Sequence, residues 1–311
     1  MKSNKTIGIV GQGFVGTAIR EKFKECYTVN TYDKFNEEAS VTYIEDKIIK
    51  DNNTIESLVK NNNIIFVCVP TPMFEDGECD TSIVKSVIND LADECDSQDK
   101  EIIAIVKSTI PPGTTKDLNI ISKRVGVVFS PEFLTEANSI EDFKNQTRIV
   151  LGIDYAEHTK PVHQIFKDCF PKADIICINS GEAEMTKYTT NLFLATKVSF
   201  FNDIYKMCES LNLDYDHVIE ATMHDPRIGK SHYMVPGPDG DFGYGGHCFP
   251  KDMQAILYVA AKHNLPIPTL VGAHTTNMLV RKDKDWEKME GRAVSKRNEL
   301  PELETIDEVK E

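Results

Sequence analysis

A chain of 311 residues, 41% apolar and 27% charged, has the composition of a folded protein with room for about two domains, which excludes a fibrous or wholly disordered one. Its formal net charge of −14 repels phosphate backbones and anionic headgroups, so neither nucleic acid nor a membrane surface is expected as a partner. It holds no apolar run of membrane-spanning length. The start, MKSNKTIGIVGQG, passes from a short basic segment into a strand pattern without a cleavage signal. The cysteines, Cys26, Cys68, Cys79, Cys95, Cys169, Cys177, Cys208 and Cys248, show neither a CxxC pair nor metal-ligand spacing. A reduced, cytoplasmic protein without a metal is predicted.

Over residues 1–180, short β-rich runs alternate with helical patterns. The runs Thr6 to Val10, Tyr27 to Tyr32, Ile64 to Pro70, Glu101 to Lys107, Val125 to Phe129 and Arg148 to Ile153 predict an α/β domain with a parallel, doubly wound sheet of Rossmann type. GIVGQGFVG puts Gly11, Gly13 and Gly16 in G-x-G-x-x-G spacing at the end of the first run. There the first glycine permits a tight turn, the second lets backbone approach a pyrophosphate, and the third lets the next helix pack close, its N-terminus facing the anion. Asp33 follows seventeen residues past Gly16 at the end of the second run. A carboxylate there accepts from ribose hydroxyls and repels a 2′-phosphate, so the cofactor is predicted to be NAD rather than NADP. Thr71, in Pro70-Thr71-Pro72 at a strand end, sits where doubly wound sheets hold their ligand.

From Gly181 the pattern changes to one long helix, the spine of a second, helical domain over 181–280. Shorter helices are predicted at Tyr215 to Met223 and Pro250 to His263. The loop Asp225 to Phe249 between them is far richer in glycine and proline than a connector needs, and it leads into Gly245-Gly246-His247-Cys248-Phe249-Pro250-Lys251-Asp252. Here a cysteine stands at a helix start that Pro250 is suited to initiate. Free helix N–H groups and Lys251 are expected to favour its thiolate, the nucleophilic form. The other cysteines read as small buried apolar residues. Past Arg281 the sequence becomes charged, first mixed and then acidic, and 281–311 is predicted to be a mobile tail with almost nothing to bury.

GGHCFPKD, taken with the N-terminal G-x-G-x-x-G, resembles the UDP-glucose/GDP-mannose dehydrogenase family. CVPTPMFEDGECDTS (Cys68 to Ser82), KSTIPPGTT (Lys107 to Thr115), SPEFLTEANSIEDF (Ser130 to Phe143) and EMTKYTTNLFLATKVSFFNDI (Glu184 to Ile204) are each similar to a family block and stand in the family's order. The resemblance covers nearly all of residues 5–280. It implies an NAD-dependent four-electron oxidation of a nucleotide sugar, UDP-glucose to UDP-glucuronate foremost, with Cys248 carrying a thiohemiacetal and then a thioester. A homodimer formed through the long helix is implied as well.

The same resemblance implies that Lys187 and Asn191, four apart on one helix face, stabilise the oxyanion. Asp252 and Thr109 hold a water, Glu132 serves thioester hydrolysis, and Glu136 supports the substrate or cofactor side. Cofactor contacts are implied at Gly11, Gly13, Phe14, Val15, Gly16, Asp33, Thr71, Thr109, Glu136 and Lys251. Substrate contacts are implied at Glu132, Phe133, Leu134, Lys187, Asn191, Arg227 and Gly245. Two departures stand out. The segment from Arg227 to Cys248 is several residues longer than in better-known members, which leaves open the subunit that supplies Arg227. Members also continue into a second α/β domain that holds much of the nucleotide, and the thirty-three residues after Met278 contain no counterpart. Two rival readings are a two-electron dehydrogenase of the hydroxyacid class, in which Cys248 is dispensable, and a non-catalytic NAD-binding module that needs a partner.

Overall fold

The computed structural model of the chain describes residues 5–44, 47–135 and 138–297. Its first half runs β1 (Thr6–Val10), α1 (Phe14–Phe23), β2 (Thr28–Tyr32), β3 (Thr42–Ile44), β4 (Lys47–Ile49), α2 (Ile55–Asn61), β5 (Ile64–Val67) and α3 (Ser82–Ser97). It continues through β6 (Ile102–Val106), α4 (Thr114–Leu118), β7 (Val125–Phe129), α5 (Ser139–Lys144), β8 (Arg148–Gly152), α6 (Ala156–Cys169) and β9 (Asp174–Ile178). Four helices follow: α7 (Ser180–Leu211), α8 (Tyr215–Thr222), α9 (Phe249–Lys262) and α10 (Pro268–Val280).

The strands form one sheet in the order β4-β3-β2-β1-β5-β6-β7-β8-β9. It is parallel from β2 to β7 and again between β8 and β9, with antiparallel pairing at β2–β3, β3–β4 and β7–β8. Helices cover both faces, which is why the strands read as near-continuous Ile/Val runs. Alternate residues serve opposite faces. Ile7, Ile9 and Phe66 pack with Phe23 and Phe166 on one side, while Val10, Ile65 and Val67 pack with Leu58, Ile88 and Leu91 on the other. Strand order reverses at β1, flanked by β2 and β5. That leaves a crevice beyond the carboxyl ends of β1 and β5, from which the Gly11 loop and Thr71 emerge.

The long helix α7 is started by a reciprocal cap, in which the Asn179 side chain accepts from Glu182 N–H and the Glu182 side chain accepts from Asn179 N–H. It ends at Asn212, whose left-handed backbone (φ 53°) closes the last turn. Tyr188, Leu192 and Ala195 of α7 form the second core with Met253, Ile256 and Ala273 from α9 and α10. Ser199 Oγ donates to the Ala273 carbonyl at 2.7 Å, fixing α10 against α7. No helix among the described residues is long and apolar enough to cross a membrane.

The expected mobile tail is corrected over 281–297. Trp286, 4% exposed, and Ala293 bury against Met73. Met73 N–H donates to the Ala293 carbonyl and Ser295 N–H to the Met73 carbonyl, each at 2.8 Å. This segment is a strap running from α10 back to the first half, and its charged composition conceals the apolar residues that dock it. Residues 298–311 of the expected tail lie outside the described residues. β3, β4, β9 and α10 were not foreseen from the sequence.

Phe23 is fully buried, its ring centroid 5.1 Å from that of Phe66 and 5.8 Å from that of Phe166. Phe23→Ala should therefore cost about 3–5 kcal/mol, read as a lower urea midpoint at unchanged slope. A loss under roughly 1 kcal/mol would show that the aromatic cluster closes over the gap.

Candidate active site

Cys248 caps the N-terminus of α9, with Pro250 in its first turn. The loop ahead of it is hydrogen-bonded from three directions. Gly243 N–H donates to Asn202 Oδ1 of α7 at 3.1 Å. The Asn277 side chain of α10 brackets Tyr244, accepting from its N–H at 2.7 Å and donating to its carbonyl at 3.0 Å. Gly246 N–H donates to Asp285 Oδ2 of the strap at 3.0 Å. Gly245 lies flat against Arg281 and Asp285, so a Cβ there would collide with both. Arg281 is itself buried and pairs with Asp239 at 2.6 Å and Asp285 at 3.3 Å.

Helices α7 and α9 bring the polar cluster together. Asn191 Nδ2 donates to Asp252 Oδ2 at 2.6 Å, and Lys251 Nζ donates to Asp252 Oδ1 at 2.5 Å. Lys187 Nζ donates to Glu132 Oε1 at 2.9 Å, while Glu132 Oε2 accepts from Leu134 N–H at 2.6 Å. Burial alone would raise the Glu132 carboxyl, but the Lys187 ammonium, the Leu134 N–H and Lys107 hold it below the ordinary carboxylate value. Glu132 is therefore an anion. Burial likewise opposes the charge on Lys187, yet Glu132 and Asp252 raise it above the usual ammonium value.

The expected thiolate is also corrected. Burial pushes the Cys248 thiol up to about 11, outweighing Lys251 and Lys187, which favour the anion, while Asp252 and Glu132 oppose it. The four charged groups of the cluster thus all act on one sulfur, and at neutral pH that sulfur carries a proton.

Other expected residues take varied places. Phe133 lies under the Lys187 ammonium at 5.6 Å and the Arg148 guanidinium at 4.4 Å. Thr71 and Thr109 are buried just beyond β5 and β6. Arg227 is not brought to the cluster; it is exposed and forks onto Asp225, with Nε 3.0 Å from Oδ1. Glu136 lies outside the described residues.

Three supports were missed. Lys107, buried and held down to about 8 by desolvation, donates to Ser130 Oγ at 3.1 Å and the Pro131 carbonyl at 3.0 Å, and so sets the turn carrying Glu132. Glu184 accepts from Gly113 N–H, Thr115 N–H and Thr115 Oγ at 2.6–2.7 Å, tying the loop after Thr109 to α7. Asp285 braces the cysteine loop. Lys107 and Glu184 stand inside motif blocks, where a signal existed. Asp285 sits in a charged run that offers none.

At the crevice, Gly11 (φ 89°) turns beside the Cys68 carbonyl and Gly16 packs on the Gly11 carbonyl, while a Cβ at Gly13 would meet open space. Asp33 receives Gln12 N–H at 2.8 Å and Phe35 N–H at 3.0 Å. Val15 packs against the first core, and Phe14 stacks on His247 with centroids 6.3 Å apart. A helix N-terminus, an open approach at Gly13 and a carboxylate at Asp33 fit a dinucleotide.

The fold and this crevice define a Rossmann-type dinucleotide-binding protein whose second half is helical. Residues 26–170 match the NAD binding domain of the UDP-glucose/GDP-mannose dehydrogenase family, and residues 181–278 match its central domain. The chain belongs to that family, and its cofactor is NAD. It is similar to UDP-glucose 6-dehydrogenase TuaD of Bacillus subtilis, 31% identical over 302 residues that span 88% of this chain and 63% of that one. It is also similar to the putative UDP-glucose 6-dehydrogenase YtcA of the same organism, 35% identical over 71% of this chain and 53% of that one. The chain thus spans roughly half to two thirds of these relatives. In structure it is similar to a UDP-glucose dehydrogenase from Pyrobaculum islandicum, with a TM-score of 0.77 and 25% identity over 89% of this chain and 69% of that one. A 3-hydroxyisobutyrate dehydrogenase of Mycobacterium tuberculosis shares the fold, with a TM-score of 0.68 at 14% identity over 89% of this chain and 94% of that one.

With its thiol pushed up to about 11, Cys248 should alkylate with iodoacetamide at a rate that still climbs above pH 9, past the ordinary thiol value of about 8.5. Peptide mass spectrometry at Cys248 reads this directly. A plateau below pH 8 would mean the thiolate is favoured after all.

Proposed function

We propose that the protein oxidises the primary alcohol of a nucleotide sugar to a carboxylate in two successive steps, with UDP-glucose as the foremost substrate. The observation that carries this reading is the pairing of Lys187 with Glu132 and of Lys251 and Asn191 with Asp252 at the start of the helix that Cys248 caps. A two-electron hydroxyacid oxidation has no use for that thiol.

NAD supplies the hydride acceptor for each step. As the alcohol gives up its hydride and passes its hydroxyl proton to a water held by Asp252 and Thr109, the Lys187 ammonium and the Asn191 amide stabilise charge on its oxygen. Cys248 then adds to the carbonyl carbon: the S–C bond forms as the C=O π bond opens, and the thiol proton leaves through a water held by Asp252 and Thr109. Loss of a second hydride from that carbon gives a thioester. Glu132, already an anion, takes a proton from water as it attacks, the C–S bond breaks, and the sulfur regains its proton. Two hydrides leave the substrate and one water is consumed per carboxylate formed.

The reading includes a homodimer built on α7. Phe193, Phe200, Met207 and Leu211 are each more than half exposed and recur at steps of seven and four along one helix face. It also includes a cytoplasmic setting, in which free cysteines stay reduced.

Purified protein given NAD and UDP-glucose, GDP-mannose or UDP-acetamido sugars should form two NADH per sugar consumed. Cys248→Ser should stall before the second, and Lys187→Ala should lower kcat by about 10²–10³. One NADH per sugar with an active serine variant would establish two-electron chemistry instead. In light scattering the native mass should be twice 35.0 kDa, and Phe200→Asp should halve it. A monomer in both cases removes the dimer.

A further inference from the structure

A cavity of about 480 Å³ lies beside the catalytic segment, walled by the Met73–Gly77 turn, α9, α10 and the strap. Pro250 and Gln254 line it, two and six residues past Cys248, but Cys248, Lys187, Glu132, Asn191 and Asp252 do not. It is a compartment adjoining the thiol cluster, and its size is that of a small-ligand pocket.

Its chemistry has two parts. Trp286 and Met73, both largely buried, and Met278 give apolar surface suited to the face of a planar ring. Tyr244, 4% exposed, has a buried hydroxyl with no hydrogen-bond partner, and His274 has a buried Nδ1 in the same state. The other ring nitrogen of His274 stands 3.5 Å from the Gln254 amide. Burial and Lys284 hold the imidazole below its ordinary pKa, so these three groups are uncharged at neutral pH. Buried polar atoms without partners are costly, and a ligand with a polar edge would satisfy them. The rim carries Glu75, Glu287, Glu290 and Lys296. Its carboxylates can accept from ribose hydroxyls and would turn phosphates outward.

We propose that this cavity receives the nucleoside of the nucleotide sugar, base against Trp286 and polar edge toward Tyr244, Gln254 and His274. The proposal rests on the function given above. The cofactor's adenosine is a poor fit, because neither the Gly11–Gly16 loop nor Asp33 lines the cavity. The strap thereby supplies a nucleoside wall from within this chain.

Trp286 is the sole tryptophan, so its fluorescence reports on the cavity directly. UDP and GDP are titrated into protein saturated with NAD, alongside Tyr244→Phe and His274→Leu, whose melting temperatures are measured first. At least one diphosphate should quench Trp286 saturably, and each substitution should weaken it about tenfold, the loss of one hydrogen bond. No quench by either, a quench indifferent to both substitutions, or NAD alone producing the quench and blocking UDP and GDP would overturn the proposal. Turnover separates the two readings. NADH formation whose KM ignores His274→Leu sinks the cavity and keeps the reaction. A substitution-sensitive quench by UDP or GDP with no NADH from any nucleotide sugar keeps the cavity and sinks the reaction.

Discussion

The Asp252 carboxylate, 1% exposed, is the interaction on which the catalytic half is organised. It joins α9 to α7 through Asn191 and fixes Lys251 beside Cys248. A carboxylate in such a place costs several kcal/mol in desolvation unless its lone pairs are met, and both oxygens are. Because Lys187 lies one turn before Asn191 on α7, the same join sets the height of Lys187 and through it Glu132 of the first half. Removing one partner would leave a buried charge unpaired, a loss of about 3–5 kcal/mol. The cluster is therefore fixed as a unit.

Charge is partitioned in a way the total conceals. The chain as a whole is at −14, yet the groups that act on the Cys248 thiol are balanced, two ammonium groups, Lys187 and Lys251, against two carboxylates, Glu132 and Asp252. Buried charges are screened far less than surface ones. A locally neutral cluster can thus present the Lys187 ammonium to the reacting oxygen while the acidic surface governs solubility and encounter. The protonated state of Cys248 follows from the same burial: desolvation acts on the thiol more strongly than the cations beside it.

Much of this was legible from residues alone, because strands buried on both faces and helices with one apolar face write their periods into the sequence. Thr6–Val10 and Val125–Phe129 are read to the residue, and α7 and α9 within one or two at their starts. The three-residue strands β3 and β4 carry too little pattern, and the apolar residues of α10 are spread around its circumference. Within the site, the motifs supplied Lys187, Asn191, Cys248 and Asp252 but not the protonation of the thiol or the anionic state of Glu132. Those depend on burial, which only the assembled fold decides. Arg227 shows the opposite limit: a motif residue that, within one chain, reaches only Asp225.

The strap couples what the motifs leave separate. At one end Arg281 and Asp285 brace the backbone of the cysteine loop; at the other, Ala293 and Ser295 pair with Met73 beyond β5. Between them the Arg292 guanidinium lies 4.5 Å from the Phe14 ring, which itself stacks on His247. The surface ion pairs of Arg297 with Asp76 and Glu78 add little, since exposed pairs contribute about 0–1 kcal/mol. The hold comes from buried Trp286 and from the Arg281 cluster, where desolvation makes each partner indispensable to the others. A segment outside every catalytic motif thus touches both the dinucleotide loop, at Phe14, and the cysteine loop, at Gly246, and a change there would reach both ends of the reaction at once.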